Sequence, residues 1–222
     1  MLWVAISIFS VFGDREGTQQ TLLQFVHIPK TGGTSIEHWF RDQLHVQQGL
    51  FVKPANRMWV ASSSPRVCPG DYPTVQWSDK CCSWWHIPPM YFSDFDPYTE
   101  YFVVMRDPVS RAKSEIKWHR KGCVSVQEAD KIAMHALTSK RHIYDCHWIP
   151  QWQYVSFSNG TQYPHVHILR FERGLSKQLK LLFPQMPEMQ EHFHKSAENC
   201  INFSPQVEEA IRQHERNPYT HA

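Results

Sequence analysis

The stretch His27-Ile28-Pro29-Lys30-Thr31-Gly32-Gly33-Thr34-Ser35 joins an apolar run to an amphipathic one and gathers groups that bind anions. Gly32 and Gly33 let backbone N–H groups approach a ligand closely, and the helix start beyond them adds N–H donors and partial positive charge. Thr34 and Ser35 add hydroxyls, and Lys30 brings a full cation to the same point. Together they predict an oxyanion cradle. It is not a Walker A loop, in which Lys directly follows the last Gly and precedes Ser/Thr; here Lys30 comes before the glycines. Taken alone, the loop is also compatible with an ordinary strand-to-helix turn.

A second candidate is Arg106-Asp107-Pro108-Val109-Ser110-Arg111-Ala112-Lys113-Ser114-Glu115, directly after the apolar run Tyr101–Met105. Arg106 offers a fixed fork of donors beside a helix N-terminus, which suits a phosphate. From Arg106 to Lys121 six Lys/Arg stand against two acids, a local charge that an anionic ligand would feel. Arg111 and Ser114, three apart, share a helix face, so Arg111 could assist. The bland alternatives are a solvated basic face and a structural ion pair of Arg106 with Asp107 or Glu115.

Pro29–Ser35 resembles the 5′-phosphosulfate loop of the Golgi carbohydrate sulfotransferases, closest to the heparan sulfate O-sulfotransferases, and Arg106–Glu115 is similar to that family's 3′-phosphate motif. In that motif an Arg at the strand end and a Ser eight positions later grip the 3′-phosphate, the spacing of Arg106 and Ser114 here. The resemblance implies the donor 3′-phosphoadenosine 5′-phosphosulfate (PAPS), with Lys30, Thr31, Gly32, Gly33, Thr34 and Ser35 at its 5′ end and Arg106 and Ser114 at its 3′-phosphate. Sulfuryl transfer also needs a group to accept the hydroxyl proton, and histidine suits this near neutral pH. The similar 6-O-sulfotransferases carry their proposed base in the interval between the two motifs, which here holds His86, within Ser83-Trp84-Trp85-His86-Ile87-Pro88. His27, His119 and His147 are rival bases, and Trp84, Trp85 and Tyr91 could stack on a sugar ring. His147-Trp148-Ile149-Pro150-Gln151 resembles a His-Trp-x-Pro-Gln element of related carbohydrate sulfotransferases.

The expectation is therefore transfer of a sulfuryl group from PAPS to a glycan hydroxyl by in-line displacement, with Lys30 and His86 catalytic. A non-catalytic PAPS- or glycan-binding protein and a P-loop kinase-like phosphotransferase are the alternatives. No metal is required, because developing charge already meets Lys30 and helix-end donors, and the histidines form no H-E-x-x-H ligand set. Nucleic acid is not an expected partner, since a net charge of +2 is too near neutral.

These groups need elements to hold them. The chain has 222 residues, 41% hydrophobic and 20% charged, which suits one domain with a packed core. Strands are expected at Leu22–Ile28, Tyr101–Met105, Gln153–Phe157 and His165–Phe171. Helices are expected after a Thr34–Glu37 capping box, from Asp107-Pro108 to about Arg120 with a stop at Gly122, after a Ser125–Glu128 capping box, over Leu175–Phe183, and from Ser204-Pro205. This alternation predicts an α/β fold with a parallel sheet and right-handed crossovers; the resemblance implies a P-loop-like sulfotransferase fold.

Residues 1–20 are read as an apolar segment and linker, and 21–222 as the catalytic domain. Leu2–Phe12 fits a shortened membrane anchor, a signal core or a buried strand, and the anchor is preferred. Six cysteines and the sequons at Asn159 and Asn202 indicate an oxidising, secretory setting, which the resemblance narrows to the Golgi lumen.

Overall fold

A computed structural model describes residues 6–8, 23–45, 66–67, 76–77, 82–83, 86–91, 98, 100–139, 141–142, 144–184, 186–189 and 200–218. The run Tyr-Phe-Val-Val-Met has no polar position. A strand apolar at every position must be covered on both faces, and Tyr101–Met105 is buried throughout. It is the central strand.

In chain order the strands are β1 (Ile6–Ile8), β2 (Leu23–Val26), β3 (Arg66–Val67), β4 (Gln76–Trp77), β5 (Cys82–Ser83), β6 (Tyr101–Met105), β7 (Arg141–His142) and β8 (Val166–Arg170). The main sheet has the order β1-β2-β6-β8. β6 pairs parallel with β2 (Phe25 opposite Phe102) and with β8 (Val103 opposite Ile168). β1 pairs antiparallel with β2. The helices are α1 (Gly33–His45), α2 (Pro108–Arg120), α3 (Val126–Thr138), α4 (Leu175–Leu182) and α5 (Pro205–His214). The chain is thus mixed α/β, a small parallel sheet flanked by helices.

Alternation along β6 divides the core. Phe102 and Val104 face Phe25, Leu169, Ile36, Trp39 and Phe40 of α1, and Leu175 and Leu179 of α4. Tyr101, Val103 and Met105 face the other way, onto Ile28, Cys82, Ile87, Cys146, Ile149 and Tyr154. Full burial of each large apolar side chain contributes about 1.5–3 kcal/mol. A third cluster joins α2, α3 and α5 through Val109, Ile116, Ile132, Val207 and Ile211.

Several expected boundaries hold. Asp107 caps α2, accepting a hydrogen bond from Ser110 N at 2.8 Å, with Pro108 in the first turn. The helix ends at Arg120, but Lys121 takes the left-handed position, one residue before the expected Gly122 stop. Ser125 caps α3 through Glu128 N.

Two expectations fail. The Thr34–Glu37 capping box does not form: α1 begins at Gly33, Gly32 O accepts from Ser35 N and Ile36 N, and Glu37 bonds to His27 instead. Gln153–Phe157 is not a strand. Gln151–Tyr154 forms a 3-10 turn, and beyond it only Ser156 bridges to Gln162. Pro150 starts that turn, and Trp152 O closes it by accepting from Val155 N and from Ser156 Oγ.

Two disulfides, Cys82–Cys146 and Cys123–Cys200, fit an oxidising, secretory-type compartment. Cys68 and Cys81 lie outside the described residues, as do Trp84 and Trp85. The sequon asparagines Asn159 and Asn202 are both exposed. Within Leu2–Phe12, Ile6–Ile8 form edge strand β1; the remainder lies outside the described residues. No helix among the described residues is long and apolar enough to cross a membrane.

Candidate active site

The site lies at the carboxyl ends of β2, β6 and β8, where ligands of open α/β sheets bind. The chain leaves β2 and turns sharply into α1, with Lys30 at φ 66° and Gly32 at φ 94°. Gly32 is required twice over: its backbone is left-handed, and a Cβ there would stand 3.0 Å from the Phe171 ring. The turn leaves the backbone N–H groups of Thr31, Gly32, Gly33 and Thr34 without an acceptor among the described residues, while that of Ser35 is taken by Gly32 O. The Thr31 hydroxyl turns inward to Ile28 O at 2.8 Å, so only its amide can serve a ligand. Thr34 is exposed.

The Lys30 ammonium lies 4.9 Å from the centre of the Trp118 ring on α2. Burial lowers its pKa, the negative charge of Glu115 opposes that shift, and the Arg106 cation adds to it. No ion pair neutralises it among the described residues.

Arg106, at the end of β6, reaches back to the loop. Its Nη1 donates to Lys30 O at 3.2 Å, and its guanidinium stacks 4.4 Å from the centre of the Phe171 ring. Phe171 is therefore packed between Arg106 and Gly32. Arg106 Nε is buried without a hydrogen-bond partner among the described residues. Neither of the alternative structural ion pairs of Arg106 forms: Asp107 caps α2 and pairs with Arg212, and Glu115 pairs with His147. Ser114 is half-buried in the middle of α2 and makes no hydrogen bond to Arg106, which precedes the N-cap of that helix.

Arg111 is not available to a ligand. It is 4% exposed, donating from Nε to Pro29 O (3.0 Å), from Nη2 to His147 O (2.7 Å) and from Nη1 to Glu215 Oε1 (2.6 Å). It ties the loop between β2 and α1, the His147 segment and the end of α5 together.

Three imidazoles line up below the loop, each with a carboxylate at Nδ1. His27 bonds Glu37 at 2.5 Å, His86 bonds Asp145 Oδ2 at 3.1 Å, and His147 bonds Glu115 Oε2 at 2.6 Å. Ring centres are 5.6 Å apart for His27 and His86 and 4.5 Å apart for His86 and His147. Of the rival bases, His119 lies apart from this row, exposed against Tyr144. His27 packs structurally: a Cβ on Gly33 would come within 2.6 Å of its Nε2. Gly33→Ala is expected to push that imidazole off Glu37 and destabilise the fold by about 1–3 kcal/mol, read as a lower thermal midpoint.

His86 is held from several sides. Its carbonyl accepts from Tyr154 OH, and its Nδ1 lies 3.2 Å from Asp145 O as well as near the Asp145 carboxylate. A carbonyl only accepts, so Nδ1 carries the proton and the neutral ring keeps its lone pair on Nε2. Asp145 is fixed in turn by Ser83, through N and Oγ, and by the Cys82–Cys146 disulfide beside it. Tyr144, Asp145 and Cys146 are all left-handed (φ 53°, 55° and 63°), a strain of about 1–3 kcal/mol each that such cross-links sustain.

Burial, reinforced by the neighbouring His147 and opposed by Asp145, pushes the His86 pKa down to about 3. Burial alone would raise Asp145, but its bonds from His86 and Ser83 outweigh that and hold it below the usual carboxylate range. Both depressed groups act in the same direction. Between pH 6.5 and about 3 the unfolded chain protonates His86 and the folded chain does not, so stability falls as pH falls. Equilibrium unfolding is expected to show the loss beginning near pH 6.5, with His86→Gln flattening it. His27, His147 and Asp145 are the titratable groups facing that ring.

Sequence reasoning missed Asp145, Glu115 and Glu37. A signal existed for Asp145: both Cys82-Ser83 and Asp145-Cys146 place a cysteine beside the interacting residue, but only the disulfide pairing brings them together. No protein-family model, curated protein or solved structure matches this chain.

Proposed function

We propose that this chain is a PAPS-dependent carbohydrate O-sulfotransferase with a sulfotransferase fold, working in the Golgi lumen on a glycan or polysaccharide. The observation that carries the reading is the contact of the two anion motifs: Arg106 Nη1 lies 3.2 Å from Lys30 O. A doubly phosphorylated nucleotide needs both motifs at once, and they adjoin. The amides of residues 31–34, the Lys30 ammonium and the buried Arg106 Nε, none with a hydrogen-bond acceptor or counter-ion among the described residues, are donors suited to phosphate oxygens.

In this reading the amides of residues 31–34 and the Lys30 ammonium hold the 5′-phosphosulfate, and Arg106 with Ser114 holds the 3′-phosphate. His86 Nε2 accepts the proton of the attacking sugar hydroxyl as its oxygen bonds to sulfur. The bond from sulfur to the phosphate oxygen breaks, and Lys30 stabilises the charge gathering on that oxygen. Asp145 keeps the accepting nitrogen of His86 turned away from itself.

The deciding experiment is incubation with radiolabelled PAPS and a panel of desulfated glycans. Label on at least one glycan is expected; binding of the desulfated nucleotide with no label transferred to any glycan would overturn the enzyme in favour of a binding protein. Arg106→Ala is expected to weaken 3′-phosphoadenosine 5′-phosphate by about 10- to 100-fold, the value of charge-assisted hydrogen bonds. Adenosine 5′-phosphate, lacking the 3′ group, should be little affected. Equal losses for both nucleotides in calorimetry would remove Arg106 from the 3′ site.

A further inference from the structure

We propose that His86, His147 and Asp145 form a binding site for one divalent cation of the zinc class. One donor atom from each of the three lies within 4.8 Å of the other two. His86 Nδ1 and Asp145 Oδ2 are already 3.1 Å apart, joined by the ring proton that a cation between them would replace. Bonds of 2.0–2.1 Å in a tetrahedron put ligand atoms about 3.4 Å from one another, so closure requires movements of about 1 Å or less.

His147 supplies the observation that points to a ligand. The residue is 6% exposed, its Nδ1 is engaged by Glu115, and its Nε2 is buried with no hydrogen-bond partner among the described residues. A buried nitrogen left unpaired costs about 1–3 kcal/mol, and a metal bond satisfies it. Glu115, itself 3% exposed, stands where a carboxylate behind a metal-binding histidine stands, fixing the tautomer and orientation of the ring. Two imidazoles and one carboxylate favour zinc, cobalt or nickel over magnesium or calcium, which select oxygen ligands.

The surroundings suit a cation. Ser83 and the left-handed backbone at Asp145 fix the carboxylate, and the Cys82–Cys146 disulfide clamps the two segments that carry the ligands. The side chains of His86 and Asp145 are 12% and 22% exposed, which leaves a route for entry and a coordination position for water. His86 and Asp145 are 59 residues apart in sequence, so no short ligand motif could announce the site. A cation held at Nδ1 moves the ring proton to Nε2, the nitrogen that accepts in the proposed transfer, but its binding rests on these side chains alone and is independent of the transfer reaction.

The test is a Co²⁺ titration of the untagged, disulfide-intact full chain after chelator treatment, followed by visible absorption. One Co²⁺ per chain is expected, with ligand-field bands that Zn²⁺ displaces and Mg²⁺ does not. His147→Gln and His86→Gln should each weaken Co²⁺ by at least about tenfold, and Glu115→Gln, which removes no ligand, by about 10- to 100-fold. Near-UV circular dichroism establishes that each variant is folded; should His147→Gln unfold, the other two carry the comparison. No saturable binding up to millimolar Co²⁺, or unchanged affinity in the folded variants, would overturn the site.

Discussion

Replacing His86 by alanine is expected to lower sulfuryl turnover by about two to four orders of magnitude, the range for loss of a positioned proton acceptor. The physical reason lies in the tautomer. Asp145 O and Asp145 Oδ2 both lie within hydrogen-bond distance of Nδ1, which leaves the lone pair on Nε2. Because the ring stays neutral down to a pH of about 3, the accepting form is available over the whole range in which a glycan would be assayed. Donor affinity should be nearly unchanged, since the amides of residues 31–34, Lys30 and Arg106 remain. A loss of nucleotide affinity at near-normal turnover would assign the proton to another residue. Asp145→Asn provides the complementary readout: it keeps an acceptor at Nδ1 but removes the charge that steadies the imidazolium formed on proton transfer, so turnover should fall while nucleotide affinity stays unchanged.

The second large effect concerns stability. Arg111→Ala is expected to destabilise the chain by about 3–5 kcal/mol, the cost of leaving a buried charge without its partner. Glu215 would be that stranded charge, with a side chain 9% exposed, and the carbonyls of Pro29 and His147 would lose their donors. Arg111→Lys cannot repair this, because a single ammonium cannot span three acceptors on three segments as the planar fork does. Urea denaturation should show both midpoints well below that of the parent chain. A near-parental midpoint for Arg111→Ala would mean that the three tethers are individually dispensable.

Much of the framework was legible from residue order. The unbroken apolar run Tyr101–Met105 reads as a covered strand because no position in it tolerates water, and Asp107-Pro108 reads as a helix start because both residues act on their immediate neighbours. Errors arose where a local signal met a stronger tertiary partner. Glu37 fits a capping box by spacing, yet an imidazole ten residues back offers it a bond that the loop geometry favours. Arg111 reads as part of a basic face, and packing turns it inward to three acceptors.

The candidate site divides along the same line. Lys30, Gly32, Gly33 and Arg106 follow from order alone, since a strand end, a glycine turn and a helix start are built within about ten residues of chain. His86 is placed only by distant segments: Tyr154 holds its carbonyl, Asp145 its imidazole, and a disulfide spanning 64 residues brings that aspartate beside it. Short-range backbone geometry is written into neighbouring residues, whereas which histidine meets which carboxylate depends on how the sheet, the α2 helix and a cross-linked turn come together in space.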